Sequence, residues 1–246
     1  MKQIRVFGFI LIMISVSLVV GSTNAQQMKI LDQTLSIKEK SIITISSLTA
    51  IGNLPKLKIA LNKGLEAGLT INEIKEIVVH TYAYCGFPRS IRGLQTFIEV
   101  LEERKAKGIN DVIGTDASPI ANNTNKYERG KKILGELTKT PQPDKLSGYS
   151  AFAPTMDAFL KEHLFADIFE RDVLTYAQRE LVTISVISAI GYAEPMLQSH
   201  LSISLNLGIT PNQLKEFAAI IQETVGEEKA KAAQQVLSKV LENRKS

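Results

Sequence analysis

Apolar positions recur along this chain at helical spacing, and strict alternation of apolar and polar residues is scarce. Ser36, with Glu39 three residues on and the apolar run Ile42 to Ile51 behind it, predicts a capped helix. Gly52-Asn53-Leu54-Pro55 breaks the run, and Pro55 suits the first turn of a second helix, Lys56 to Ala67, ended by Gly68. Thr70-Ile71-Asn72-Glu73 has capping-box spacing for a third helix, Asn72 to about Tyr84. Gly86-Phe87-Pro88 interrupts it, and a fourth helix follows from Pro88 to Arg104.

The same order then returns. Thr44-Ile45-Ser46 to Ala50-Ile51-Gly52 reappears 139 residues later as Thr183-Ile184-Ser185 to Ala189-Ile190-Gly191. One inserted residue makes the offset 140, and Pro55, Gly68-Leu69-Thr70 and Lys75-Glu76 then fall on Pro195, Gly208-Ile209-Thr210 and Lys215-Glu216. A match needing one gap indicates one ancestral unit used twice. Helices are expected over Gln178 to Ile190, Met196 to Leu207, from the Thr210-Pro211-Asn212-Gln213 cap onward, and Glu227 to Arg244. Between the copies, Lys105 to Asn125 is polar and rich in turn residues, and reads as a linker. Tyr127 to Leu137 and Ala153 to Phe169 read as helices that extend the second copy only.

The first residues stand apart. Lys2 and Arg5, the apolar stretch Val6 to Val20 and the small residues up to Ala25 form the pattern of a secretory signal peptide cleaved after Ala25. The alternative is an uncleaved anchor, but the apolar stretch is short of the ~20 residues that span a bilayer. The chain is therefore read as an exported protein, periplasmic or secreted, with no membrane attachment after cleavage. Its segments are residues 1–25 (signal), 26–104 (first unit), 105–125 (linker) and 126–246 (second unit). The formal charge is +4, Lys2 and Arg5 included, and no dense basic patch interleaves with aromatics, so nucleic acid is a poor partner. Cys85 is the single cysteine, which rules out an internal disulfide.

The two copies differ in an informative way. The second has Glu180 and His200 where the first has Ser41 and Ala60. The first has His80 and Tyr84 where the second has Ile220 and Thr224. Two intact sites would each keep all four groups; reciprocal loss is what one shared site permits, and neutral decay is the competing account. Each residue also has a bland reading. His80 lies among Ile77, Val78 and Val79, where a hydrogen-bonded core histidine is common, but Tyr84 is four residues on and shares its face. Glu180 in a first helical turn is favoured by the helix dipole whatever else it does. His200 fits an exposed helical position and His163 a solvated one. Cys85 is either a small buried residue or a single-thiol nucleophile activated by His80. No pair of ligands has the short spacing of a metal site, and neither metal nor cofactor is expected.

These segments resemble the carboxymuconolactone decarboxylase family, with its all-helical alkylhydroperoxidase D-like fold. The carrying residues are Arg179-Glu180-Leu181-Val182-Thr183 running to Ala189-Ile190-Gly191, then Ser199-His200 before Asn206-Leu207-Gly208. In the first copy they are Glu76-Ile77-Val78-Val79-His80 and Tyr84-Cys85-Gly86-Phe87-Pro88. The resemblance implies an all-α bundle in tandem duplication, packed about a pseudo-twofold axis. It implies a homo-oligomer, a trimer of fused pairs. It also implies a site on Glu180, His200, His80 and Tyr84, with Gly86, Pro88 and Cys85 about the substrate pocket. The family pattern holds these groups in one unit, whereas here they are divided between two. The peroxidase branch carries Cys-x-x-Cys twelve and fifteen residues after the Glu; Tyr192 and Pro195 stand there instead.

The function expected is a decarboxylase-type lyase or proton-transfer enzyme acting on a small lactone or oxo-acid. His200, oriented by Glu180, would transfer the proton, while His80 and Tyr84 would polarise the lactone carbonyl. The alternatives are a thiol-dependent peroxidase using Cys85 and a non-catalytic helical binding or assembly module.

Overall fold

The computed structural model describes residues 34–120 and 125–244; the export signal expected over residues 1–25 lies outside them. The described residues form ten α-helices, a π-helical stretch and no strand. In the first unit these are α1 (Ile37–Ile51), α2 (Leu54–Glu66) and α3 (Ile71–Ala106). Then come α4 (Lys126–Thr138), α5 (Gly148–Phe152) and α6 (Pro154–Phe159), which runs into the π-helical stretch Leu160–Phe169. The chain ends with α7 (Tyr176–Ile190), α8 (Glu194–Asn206), α9 (Pro211–Thr224) and α10 (Glu227–Asn243).

The repeated sequence builds repeated caps. Ser36 and Glu39 form a capping box on α1, and Thr175 and Gln178 form its counterpart on α7. Thr70 with Glu73 and Thr210 with Gln213 do the same for α3 and α9. In each box the N–H groups of the capping residue and of the third helical residue meet side-chain oxygens fixed by the local sequence.

α1 and α7 are buried nearly all round past their first turns, at the centre of the core. They pack on each other; α3 packs on α7, and α9 packs on α1. Ile42, Ile43, Ile45, Leu181, Val182 and Ile184 are wholly buried there. The hydroxyls of Ser46, Ser47, Thr49 and Ser185 donate to carbonyls four residues back, so small polar residues sit in this core without losing a hydrogen bond.

The break expected at Gly86-Phe87-Pro88 is present as a kink: Gly86, at φ 81° and ψ 161°, divides α3 just before Pro88. A positive φ of this kind is readily adopted by glycine, and Pro88 supplies no N–H to continue the ladder. The linker expected over residues 105–125 has no helix past Ala106 in its described part up to residue 120, and it is held in place. α3 runs to Ala106, Val112 and Ile113 accept from the N–H groups of Ile71 and Asn72, and Arg104 is paired with Asp111 at 2.8 Å. The amphipathic helix expected over Ala153 to Phe169 is α6 followed by wider π winding. This stretch lies tight against α4, where a Cβ on Gly130 would come within 1.8 Å of the Lys161 carbonyl oxygen. Lys161 is buried but satisfied by Asp157 at 2.8 Å and the Tyr127 hydroxyl at 2.8 Å.

Candidate functional site

The kinked helix α3 presents Glu76, His80 and Tyr84 at successive i, i+4 positions, so their side chains stack along one face. That face meets the start of α7, which carries Arg179, Glu180 and Thr183. The polar groups alternate across the contact. Arg179 donates to Glu76 at 3.1 Å and, from Nη1, to His80 Nδ1 at 3.3 Å. His80 Nε2 lies 2.9 Å from Thr183 Oγ1, and Thr183 Oγ1 lies 3.2 Å from the Tyr84 hydroxyl.

Arginine has no acceptor, and this fixes the direction of the chain. His80 Nδ1 must accept, so Nε2 carries the hydrogen and donates to Thr183. Thr183 then donates to Tyr84, and the Tyr84 proton is left to point elsewhere. His80 is wholly buried, and its pKa is driven well below the ordinary histidine value by that burial, with the Arg179 and His200 charges adding to it. Tyr84 is pushed upward by burial and by the Glu180 charge, only partly opposed by its bond to Thr183, so at neutral pH it keeps its proton.

Arg179 is fixed from its other side. It donates to the Arg171 carbonyl at 2.7 Å, and Arg171 itself grips Glu76 at 2.6 Å. Burial alone would raise the Glu76 carboxyl, but hydrogen bonds from Arg171 and Arg179 outweigh it and hold the group below its usual range. Phe169, at the end of the π stretch, closes the back of the site with its ring centroid 5.1 Å from that of His80. The extension found only in the second unit therefore walls the site.

The second pair comes from α7 and α8. Glu180 Oε2 lies 2.9 Å from His200 Nδ1. Glu180 is wholly buried, and its other oxygen has no hydrogen-bond partner among the described residues. His200 is 13 % exposed in its side chain and connects the cluster to solvent. With Nδ1 bound to Glu180, Nε2 is the nitrogen free to take or give a proton. The His200 and Tyr84 rings meet edge to face with centroids 6.0 Å apart, and those of Tyr84 and His80 are 5.7 Å apart.

Glu180, His200, His80 and Tyr84 thus converge within one chain, across the boundary between the repeats. His80 has both nitrogens engaged and no exposed surface. This geometry suits positioning of Thr183 and Tyr84, and leaves neither ring nitrogen open to the carbonyl contact expected from the sequence. Gly86 and Pro88 make the kink that ends the Tyr84 turn, and Pro88 is exposed. Cys85 donates from its sulfur to the Thr81 carbonyl at 3.1 Å, and burial pushes its thiol pKa up. His163 is half exposed and bonded to Asp167 at 3.1 Å. No group of three His, Cys, Asp or Glu side chains among the described residues converges as a metal site would.

Sequence reasoning assigned no site role to Glu76, Arg179 or Thr183, although all three lie in the segments that carry the family resemblance. The signal for Glu76 was present, since Glu76, His80 and Tyr84 are spaced by four. Thr183 is matched by Thr44, and a search for differences between copies overlooks what they share.

Two stretches, residues 20–99 and 154–239, match the model of the carboxymuconolactone decarboxylase family. A 4-carboxymuconolactone decarboxylase of Acinetobacter baylyi is 28% identical over 96 residues, which cover 39% of this chain and 71% of that protein.

Proposed function

From the premise that the chain belongs to the carboxymuconolactone decarboxylase family, we propose that it is a decarboxylase-type lyase acting on a small lactone or oxo-acid. The observation that carries this reading is the buried Glu180–His200 pair, its imidazole packed edge to face with a tyrosine ring whose hydroxyl keeps its proton. In such a reaction the bond to the substrate carboxylate breaks and CO2 leaves. The electron pair passes through the conjugated system onto the carbonyl oxygen. Carbon then takes a proton, and the carbonyl re-forms.

Each residue has a part. His200 Nε2 delivers the proton to carbon and regains one from solvent, while Glu180 holds the ring and balances its charge when it is protonated. Tyr84 donates to the oxygen that gathers negative charge. Thr183, His80 and Arg179 fix the hydrogen-bond direction so that the Tyr84 proton faces the substrate. Glu76 and Arg171 hold Arg179.

The test is a screen of carboxylated lactones and oxo-acids for CO2 release and for solvent-deuterium incorporation, with Glu180→Gln and His200→Ala alongside. Both variants are expected to lose on the order of 10²–10⁴ in turnover. Turnover that survives both changes would remove the reading. The same proposal keeps the exported homo-trimer expected from the sequence. Tyr149, Phe152, Met156 and Phe159 leave exposed apolar surface on α5 and α6 for a contact between copies, and a monomer by light scattering at micromolar concentration would remove that part.

A further inference from the structure

The open half of the molecule shows what lies beneath the closed one. In the first unit a cleft of about 460 Å³ is lined by Ile37, Ser41, Thr44, Ala60, Lys63 and Ala67 among others. The repeat offsets carry these six positions to Tyr176, Glu180, Thr183, His200, Ile203 and Leu207. There the same surface is covered by the extension of the second unit. Ile203 is buried in one cluster with Ile133 and Leu137 of α4 and with Leu164 and Phe165 of the π-helical stretch. Tyr176 and Leu207 pack on that cluster, and Asn206 donates to the Leu137 carbonyl at 3.0 Å.

Two observations require this cover to move if the site is to hold a ligand. Glu180 and Thr183 have no exposed surface, so nothing from solvent touches them while it is closed. One oxygen of Glu180 is a buried acceptor with no hydrogen-bond partner among the described residues, and a donor brought by a ligand would satisfy it. The extension is also built to lift as a unit. Its apolar side chains form a cluster separate from the main core. The segments that lead into and out of it are tied together at one place, where the Ser118 N–H donates to Asp172 at 2.8 Å. The first unit shows that the frame beneath stands with this surface open.

We propose that the extension closes over the substrate pocket of the candidate site, and that this pocket takes a small lactone or oxo compound with a hydroxyl beside its carbonyl and an apolar body. The proposal rests on the reading of Glu180 and His200 as the reacting pair. Lifting α4 and the π stretch uncovers in the second unit the cleft that stands open in the first. Tyr84 then supplies a donor for the carbonyl oxygen, and Glu180 an acceptor for the hydroxyl. Both flank the His200 ring, Glu180 at 2.9 Å and Tyr84 edge to face with centroids 6.0 Å apart, so the two groups they bind are neighbours in the ligand. Tyr176, Ile203 and Leu207 give the pocket an apolar wall. The cleft of the first unit has Ser41 and Ala60 in place of Glu180 and His200 and offers neither the carboxylate nor the imidazole.

Two measurements on the intact protein test this. Native-state hydrogen exchange reads the opening. The amides of Ile133 in α4 and Phe165 in the π stretch should share one protection factor, and it should be at least about 10²-fold lower than that of Leu181 and Val186 in α7. Protection equal to that of α7 means that the cover lifts only when the whole protein unfolds, and overturns the proposal. An NMR titration reads the pocket, with pantolactone, whose hydroxyl adjoins the lactone carbonyl, against β,β-dimethyl-γ-butyrolactone, which lacks that hydroxyl. Saturable shifts of the Ile203 and Leu207 methyl groups are expected at pantolactone concentrations up to about 10 mM. The control should bind about fivefold more weakly or worse. Leu207→Phe, at a half-buried position, narrows the pocket and should weaken pantolactone by a similar factor. Absence of shifts at these methyl groups, equal binding of the two lactones, or binding unchanged in Leu207→Phe overturns the proposal. Neither measurement depends on turnover. A protein that opens and binds but releases no CO2 removes the decarboxylase reading and leaves the pocket standing; CO2 release from a protein that does not open does the reverse.

Discussion

The contact of α7 with α3 and the contact of α1 with α9 are built from the same repeat, and they keep different things. Both retain a cation–carboxylate pair, Arg179–Glu76 in one and Lys40–Glu216 in the other. Both retain a threonine, Thr183 and Thr44. Glu180, His200, His80 and Tyr84 occur on one side only, opposite Ser41, Ala60, Ile220 and Thr224. The fold therefore needs the pair and not the proton-carrying groups, since the second contact forms without them. The four extra groups are also costly to bury, Glu180 most of all with an unpartnered oxygen. A cost the fold does not require is what a functional site looks like.

The comparison is tested most strongly by making one half into the other. Glu180→Ser with His200→Ala gives the half that holds the candidate site the residues of its counterpart. Turnover should fall by at least about 10²-fold, while the protein folds, because Ser and Ala already occupy these positions in α1 and α2. Retained turnover would mean that the two halves differ by drift alone. Tyr84→Phe removes only the final donor and should lower kcat by about 10²-fold, with a smaller change in KM. An equal effect on KM would mark Tyr84 as a binding contact and not a transition-state one.

Much of this was legible in the sequence. The caps at Ser36, Thr70 and Thr210, the break at Gly86 and the repeat itself follow from local chemistry, which has the same meaning wherever it occurs. The reciprocal differences also pointed to side chains that the structure brings together. The Arg179–His80–Thr183–Tyr84 order was not legible, because it depends on which ring nitrogen faces which helix. Nor was the π winding at Leu160–Phe169: over ten residues the apolar pattern of an α-helix and of a slightly wider one coincide. The cleft of about 460 Å³ beside Ser41, Thr44 and Ala60 was hidden for a similar reason, since a small residue in a sequence does not say whether neighbours collapse around it.

The framework pairs should differ in worth. Glu76 and Arg179 are 7 % and 0 % exposed in their side chains, whereas Glu216 and Lys40 are 26 % and 42 % exposed. Glu76→Gln strands a buried guanidinium and should cost about 3–5 kcal/mol. Glu216→Gln leaves Lys40 in water and should cost about 1 kcal/mol or less. Denaturant unfolding of the two variants measures both. Equal losses would show that the two contacts are energetically alike despite their burial.

The acid side of the stability profile separates the halves again. His80 is held neutral in the folded protein by burial and by the Arg179 and His200 charges, while Ile220 cannot titrate at all. In the unfolded chain a histidine binds its proton below about pH 6.5. The unfolded state then holds the extra proton, so stability falls as pH drops below that value, by up to about 1.4 kcal/mol per pH unit. Glu76 acts further down: its depressed carboxyl contributes stability above the ordinary carboxylate range and loses it as pH falls through the folded value. In His80→Gln the slope between the two ranges should shrink by as much as one proton. Unfolding curves at several pH values check this, and an unchanged slope would contradict a neutral, buried His80.

The smallest effect expected is at Cys85. Its place in the repeat is taken by Val225, so the thiol is another difference between the halves and a natural candidate for the chemistry. The geometry argues otherwise. Its sulfur donates to the Thr81 carbonyl, one turn back on its own helix, and it makes no hydrogen bond to His80, whose nitrogens are both occupied. Burial, opposed by its hydrogen bonds to Thr81 and Ser90 and by the Arg89 charge, still raises its pKa and so disfavours the thiolate that a peroxidase needs. Cys85→Ser should therefore change turnover by less than about twofold, because the proposed proton path through His200 and Tyr84 does not involve it. The measurement is kcat/KM on whichever lactone or oxo-acid the screen identifies, with peroxide consumption assayed in parallel. A loss of more than about tenfold with folding intact, or peroxide turnover that vanishes with the sulfur, would move the chemistry from the Glu180–His200 pair to the thiol.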